Sequence, residues 1–330
     1  MNSIIGNINW GIIGCGDVCE VKSGPAFNKV PGSKLAAVMR RNRAKAEDYA
    51  RRHNVPVFYD DAAQLVNDPA INAVYIATPP VYHEEYTLLS LQAGKPVYVE
   101  KPVTLNAASC SRMIDAEKKY NQRVTVAHYR RALPLFNKVK ELVQSGIIGN
   151  IRLIRLAVLQ PADSKIITHT EDNWRVIPEL SGGGLFHDLS PHQLDILYWI
   201  FGQPKEVHAR SLNQSGYYKA PDITLLDAVY EGNICLSGVW AFNVADNATR
   251  DECEIAGDKG MLRFSFFRKS AIELITGKGA EIIEQDYPAH IQQPMIEAVS
   301  RYFRGEGPNP CSLEDALVVM KMMDETGRGK

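Results

Sequence analysis

WGIIGCGDVCEVKSGPAFNKVPGSKLAAVMRRN, residues 10–42, decides the fold. An apolar run over residues 8–13 enters the turn Gly14-Cys15-Gly16, a helix is expected over 17–30, and a second strand over 35–39. Such a strand–turn–helix–strand arrangement turns main-chain N–H groups and the positive end of a helix toward a pyrophosphate. The first glycine permits the tight turn and the second admits close approach. The third position, here Cys19, needs a small side chain. Gly14, Cys15, Gly16, Asp17 and Val18 are therefore candidate cofactor contacts. A strand that serves NAD usually ends in a carboxylate for the ribose 2′-hydroxyl, whereas this one ends in Arg40-Arg41. Two guanidinium groups suit a 2′-phosphate, so NADP is favoured over NAD. The other reading has them only solvating the start of the next helix.

Outward from this stretch, strand and helix keep alternating. Helices are expected over 43–53, 82–93 and 106–120, and strands over 73–77, 96–100 and 123–127. Continuous apolar strands between helices imply a parallel sheet covered on both faces, a doubly wound α/β Rossmann domain over residues 1–126. From about residue 150 the pattern changes. IRLIRLAVLQ (151–160), KEVHARSL (205–212), ITLLDAVY (223–230), ICLSGVWAF (234–242), DECEIAG (251–257) and MLRFSFF (261–267) alternate apolar and polar residues between turn signals. Residues 127–330 are therefore expected to form an α+β domain with an open, mainly antiparallel sheet. Helices are expected at 185–201, 293–304 and 313–325, the last packing back on the Rossmann domain. A sheet with an uncovered face also points to a homo-dimer or homo-tetramer through that sheet.

The 330 residues are 45% apolar and 23% charged with a net charge of −1. That balance is globular, and it excludes the electrostatic footprint of a nucleic-acid binder. No apolar run approaches the ~18–20 residues of a membrane span, and the first residues lack the basic start of a signal peptide. Six cysteines without paired spacing read as reduced thiols of a cytoplasmic protein, with no metal expected.

Three further stretches bear on chemistry: AVYIATPPVYHEEY (73–86), GKPVYVEKPVTLN (94–106) and GGGLFHDLSPHQLDIL (182–197). Glu100-Lys101-Pro102 falls at the carboxyl end of a parallel strand, the edge where such sheets bind ligands. A lysine there can stabilise negative charge on a substrate oxygen. Asp188, His192 and Asp195, spaced by four and three, share one stripe of a helix, so a carboxylate can orient the imidazole. His187 lies off that stripe and reads as structural.

With the glycine turn, these stretches resemble the glucose-fructose oxidoreductase / inositol dehydrogenase (Gfo/Idh/MocA) family over nearly the whole chain. The resemblance implies hydride transfer between nicotinamide and a sugar, polyol or sugar derivative, with no metal. It implies Lys101, Asp188 and His192 as the catalytic group and a cis peptide before Pro102. His192 would exchange the hydroxyl proton, and Gly182–Gly184 would let the chain pack on the cofactor face. Thr78, Pro79 and His83 would lie along the nicotinamide side with Glu100 and Lys101, while Arg130 and Trp174 would contact sugar. Two alternatives stay open: an NAD-dependent glycoside hydrolase of the same family, and a nucleotide- and sugar-binding regulator without chemistry.

Overall fold

The structure, a computed structural model, describes residues 6–164, 166 and 173–327. The opening residues of the stretch read for a leader lie outside these. The chain divides into two compact units, Met1–Ala132 with Pro288–Leu317, and Leu133–Tyr287 with Val318–Lys330.

In the first unit, six strands form a parallel sheet: β1 (Ile8–Ile13), β2 (Ser33–Met39), β3 (Val57–Tyr59), β4 (Ala73–Ile76), β5 (Val97–Val99) and β6 (Val124–Val126). Their order is β3-β2-β1-β4-β5-β6, so the order reverses between β1 and β4. Loops leaving the carboxyl ends of these two strands flank the crevice where doubly wound sheets take ligands. Helices α3 (Arg43–Arg52), α4 (Ala62–Asn67), α5 (His83–Gln92) and α6 (Ala107–Tyr120) connect the strands. β4, β5 and β6 are buried at every position, as a sheet covered on both faces requires. Trp10, Phe27, Tyr75 and Tyr98 form a chain of ring contacts, with Trp10 against Phe303 at 5.7 Å. Phe303 comes from the helix Gln293–Phe303, so the returning segment supplies part of this core.

The helix expected over 17–30 is two short ones, α1 (Asp17–Val21) and α2 (Gly24–Phe27). Pro25 has no N–H to return to the Val21 carbonyl, and its ring crowds the preceding turn. The freed Val21 oxygen instead faces His290 Nδ1 at 2.8 Å. The sequence reading also passed over β3 and α4.

The second unit holds α7 (Pro134–Gln144), β7 (Ile151–Leu159), α8 (Pro178–Ser181), α9 (Leu185–Phe201) and seven further strands. These are β8 (Glu206–Leu212), β9 (Ile223–Val229), β10 (Cys235–Ala241), β11 (Arg250–Gly257), β12 (Gly260–Phe264), β13 (Ala271–Thr276) and β14 (Gly279–Glu284). Their order is β14-β13-β12-β11-β7-β10-β9-β8, antiparallel except where β10 runs parallel to β7. One face is apolar. Against it α9 sets Phe186 edge-on to Trp240 at 5.1 Å, and α7 sets Phe136 beside Phe266 at 5.0 Å. The other face alternates outward, with Leu225 46% and Ile282 60% exposed and Arg263 bridging Glu254 and Glu273.

Candidate active site

The turn after β1 is shaped by what it excludes. Gly14 has φ +93°, a conformation that favours glycine, and a Cβ there would lie 2.7 Å from Thr78 Cγ2. Gly16 faces open space, its nearest such neighbour 4.0 Å away. Main chain can thus be approached at Gly16, next to the first N–H groups of α1. Cys15 and Cys19 are both fully buried. Burial pushes the Cys15 thiol up to about 12, so it is an inert wall of the turn. Cys19 fills the third place of the turn. Its Sγ points to Gly14 O at 3.8 Å, and its carbonyl accepts from Tyr49 Oη at 2.8 Å. Asp17 is exposed and Val18 half-buried. These features fit a dinucleotide, a glycine cradle with room for phosphate oxygens at the switch point of the sheet.

At the end of β2, Asn42 caps α3, its Oδ1 accepting from Lys45 N at 3.0 Å. Arg40 turns Nη1 toward Cys15 O at 3.5 Å. Arg41 lies over the Tyr82 ring at 4.5 Å and donates to its hydroxyl at 3.3 Å. Arg40 therefore stands beside the cradle, and Arg41 is supported by the Tyr82 ring.

Loops after β4 and β5 meet through a histidine. His83, fully buried, has Nε2 2.7 Å from Thr78 O and Nδ1 3.0 Å from Pro102 O. Burial holds it down to about 4, so it is neutral at physiological pH. It ties the Thr78-Pro79 loop to the turn whose Lys101–Pro102 peptide is cis. Thr78 keeps a buried Oγ1 without a hydrogen-bond partner in the first unit's loop. Glu100 is buried and ordered. Its Oε1 accepts from Tyr75 Oη at 2.6 Å and Gln292 Nε2 at 2.7 Å, while Oε2 accepts from Lys101 N at 3.1 Å. Its carboxylate is thus committed to holding the turn, and half-buried Lys101 is the cation presented at this strand end. Arg130, 4% exposed, lies against Tyr129, its Cζ 5.4 Å from the ring centroid. Its neighbour Arg131 is structural, donating to Asp315 at 2.9 Å.

In the second unit, α9 carries Asp188, His192 and Asp195, all within its helical span. Asp188 Oδ2 accepts from Arg175 Nε at 3.1 Å, with both side chains nearly buried, and Arg175 lies 4.4 Å over the Trp174 ring. His192 is 5% exposed and edge-on to Phe267, ring centroids 5.7 Å apart. His187 is buried beside Phe186, and burial pushes it down to about 4. Two of the glycines before α9 are closely packed within this unit. A Cβ on Gly183 would meet the His187 ring at 2.2 Å, and one on Gly184 the Ala220 side chain at 2.5 Å. Tyr75, Gln292, Arg175 and Phe267 were given no role by the sequence reading. Only Arg175, next to Trp174, carried a local signal.

Fold and cradle together define a Rossmann-type dinucleotide-binding protein with a second, sheet-based unit. Residues 8–128 match the model of an oxidoreductase family with an NAD-binding Rossmann fold, and residues 136–263 match the GFO/IDH/MocA C-terminal domain. The chain is 44% identical over 317 residues to Oxidoreductase P35 of Formosa agariphila, covering 96% of this chain and 97% of that protein. It is 26% identical over 335 residues to a trans-1,2-dihydrobenzene-1,2-diol dehydrogenase of Xenopus laevis, covering 96% of each. A structure of levoglucosan dehydrogenase in complex with NADH shares the fold at TM-score 0.86 and 20% identity, covering 98% of this chain and 97% of that one. The chain belongs to the Gfo/Idh/MocA family of oxidoreductases. Among the described residues no helix is long and apolar enough to cross a membrane.

Proposed function

We propose that the protein is an NADP-preferring dehydrogenase or reductase that interconverts an alcohol and a ketone on a sugar, polyol or sugar derivative. The observation that carries this reading is the Glu100-Lys101-Pro102 turn, a cation held at a strand end beside the switch point by a carboxylate with three donors. The diol and levoglucosan dehydrogenases among its relatives and fold neighbours support a hydroxyl-bearing small molecule as substrate. When bound, the nicotinamide would supply the hydride chemistry. The cradle at Gly14, Cys15, Gly16, Asp17 and Val18 would hold the pyrophosphate through main-chain N–H groups, and Thr78 and Pro79 would wall the ring side. Arg40 and Arg41 would grip a 2′-phosphate and stack on the base.

Lys101 donates to the reacting oxygen and stabilises its developing charge. His192 exchanges the hydroxyl proton and Asp188 orients it. Arg130 and Trp174 hold the sugar. The open face of the second sheet, with Leu225 and Ile282 exposed, supports a homo-dimer or homo-tetramer through that sheet.

The test is absorbance of reduced nicotinamide with a panel of sugars, polyols and ketosugars. Lys101→Ala is expected to lower kcat/KM by roughly 10²–10³-fold with cofactor affinity kept; wild-type turnover in that variant rejects the assignment. NADPH is expected to bind at least ~10-fold more tightly than NADH, a difference lost in Arg40→Ser/Arg41→Ser. Equal affinity rejects the NADP preference.

A further inference from the structure

His192 has a neighbour that the reaction scheme does not use. Phe267 meets its imidazole edge-on, with planes at 73°. This phenylalanine lies outside any strand, in the turn that follows β12, with Arg268 and Lys269 beyond it exposed. A solvent-facing turn of this kind would ordinarily be loose, but here it is clamped from below. Asp251, at the start of β11 and 8% exposed, accepts from three successive main-chain donors: Phe266 N at 3.1 Å, Phe267 N at 2.6 Å and Arg268 N at 3.1 Å. Hydrogen bonds to an ionised acceptor are among the strong ones, and three of them fix the path of the backbone. Ser265 closes the same turn, its Oγ accepting from Lys269 N at 2.7 Å. The two adjacent phenylalanines are thereby sent apart. Phe266 is anchored in the core against Phe136, and Phe267 stands against His192.

Taking a carboxylate out of water is costly unless it holds something in return. The part it holds most firmly is the backbone that carries Phe267. We propose that Asp251 and Phe267 are positioning residues for His192. The carboxylate fixes the turn, the turn fixes the phenyl ring, and the ring leaves the imidazole one orientation about its side-chain torsions. This rests on His192 being the proton-exchanging group. A proton moves efficiently only when the ring nitrogen is held within hydrogen-bond reach of the hydroxyl, and a misplacement of about 1 Å costs on the order of 10²-fold.

Two readouts on the full chain test this. The first needs no turnover: the Cε1–H resonance of His192, identified by its loss in His192→Asn, feels the ring current of Phe267. It is expected to shift in Phe267→Leu, to stay in place in Phe267→Tyr, and to broaden in Asp251→Asn as the turn loosens. The second is kinetic. Phe267→Leu is expected to lower kcat by roughly 10–100-fold with KM changed less than ~3-fold, and Phe267→Tyr to restore kcat. A resonance unmoved in Phe267→Leu overturns the packing; a shifted resonance with unchanged kcat overturns the positioning role and leaves the proposed reaction standing. Wild type that turns over no substrate of the panel, with the resonance still shifting, overturns the reaction itself and the role built on it. Should Phe267→Leu fail to fold, Asp251→Asn decides, and sharp wild-type spectra with wild-type kcat in that variant overturn the proposal.

Discussion

Each unit keeps a carboxylate away from water, and they do it differently. Glu100 is held by neutral donors, a tyrosine hydroxyl, a glutamine amide and a backbone N–H. Asp188 is held by a cation, Arg175, itself lying on Trp174. Neutral donors satisfy a carboxylate without adding a charge of their own. The ion pair in the second unit is neutral as a pair. Losing one neutral donor leaves others in place; losing the cation of a nearly buried ion pair removes a charge partner.

The largest expected effect follows from that difference. Arg175→Leu removes the cation from a nearly buried ion pair with Asp188 and should destabilise the second unit by about 3–5 kcal/mol, read by urea denaturation with Trp fluorescence. A loss below that of a surface substitution would show that the pair is as dispensable as an exposed one. Next comes a pH effect confined to the same unit. Burial holds the His187 pKa at about 4, below the ordinary value of 6.5. The unfolded chain then binds a proton that the folded one refuses as pH falls from about 6.5 to about 4. Stability is full above that window and declines through it, by about 2 kcal/mol at pH 5. His187→Phe should flatten this slope, and an unchanged slope would assign it elsewhere. The smallest effect is expected from Gln292→Leu, which costs Glu100 one donor of three and about 1–2 kcal/mol. If it matched Arg175→Leu, the contrast between the two ways of holding a carboxylate would collapse.

The same two units differ in how much of them the sequence discloses. β1, β2, β4, β5 and β6 are legible because strands buried on both faces read as unbroken apolar runs. β3 is not, because Val57-Phe58-Tyr59 is three residues long and partly exposed. In the second sheet β7 to β12 are legible by alternation while β13 and β14 were passed over, and β10 running parallel to β7 is a matter of topology that no local pattern carries. α7, with Pro134 opening it, was passed over between two domains assigned by their strands. Lys101 and Glu100 could be picked out as candidates by their place at a strand end together with the family resemblance of the stretch 94–106. Their supports could not: Tyr75 lies 25 residues away from Glu100 and Gln292 lies 192 away. Phe267 likewise reaches His192 only through the fold. Candidate residues stand out by type and spacing, whereas the residues that hold them are chosen by packing.

Gln292 and Phe303 have a consequence for how the molecule is made. Both arrive from Pro288–Leu317, after the whole second sheet has been synthesised. While the ribosome is still reading that stretch, the nascent Rossmann sheet has β1 to β6 but lacks a donor on Glu100 and the ring that covers Trp10. The first half to emerge is therefore the last to be finished, and a fragment cut before residue 288 leaves part of its own core bare.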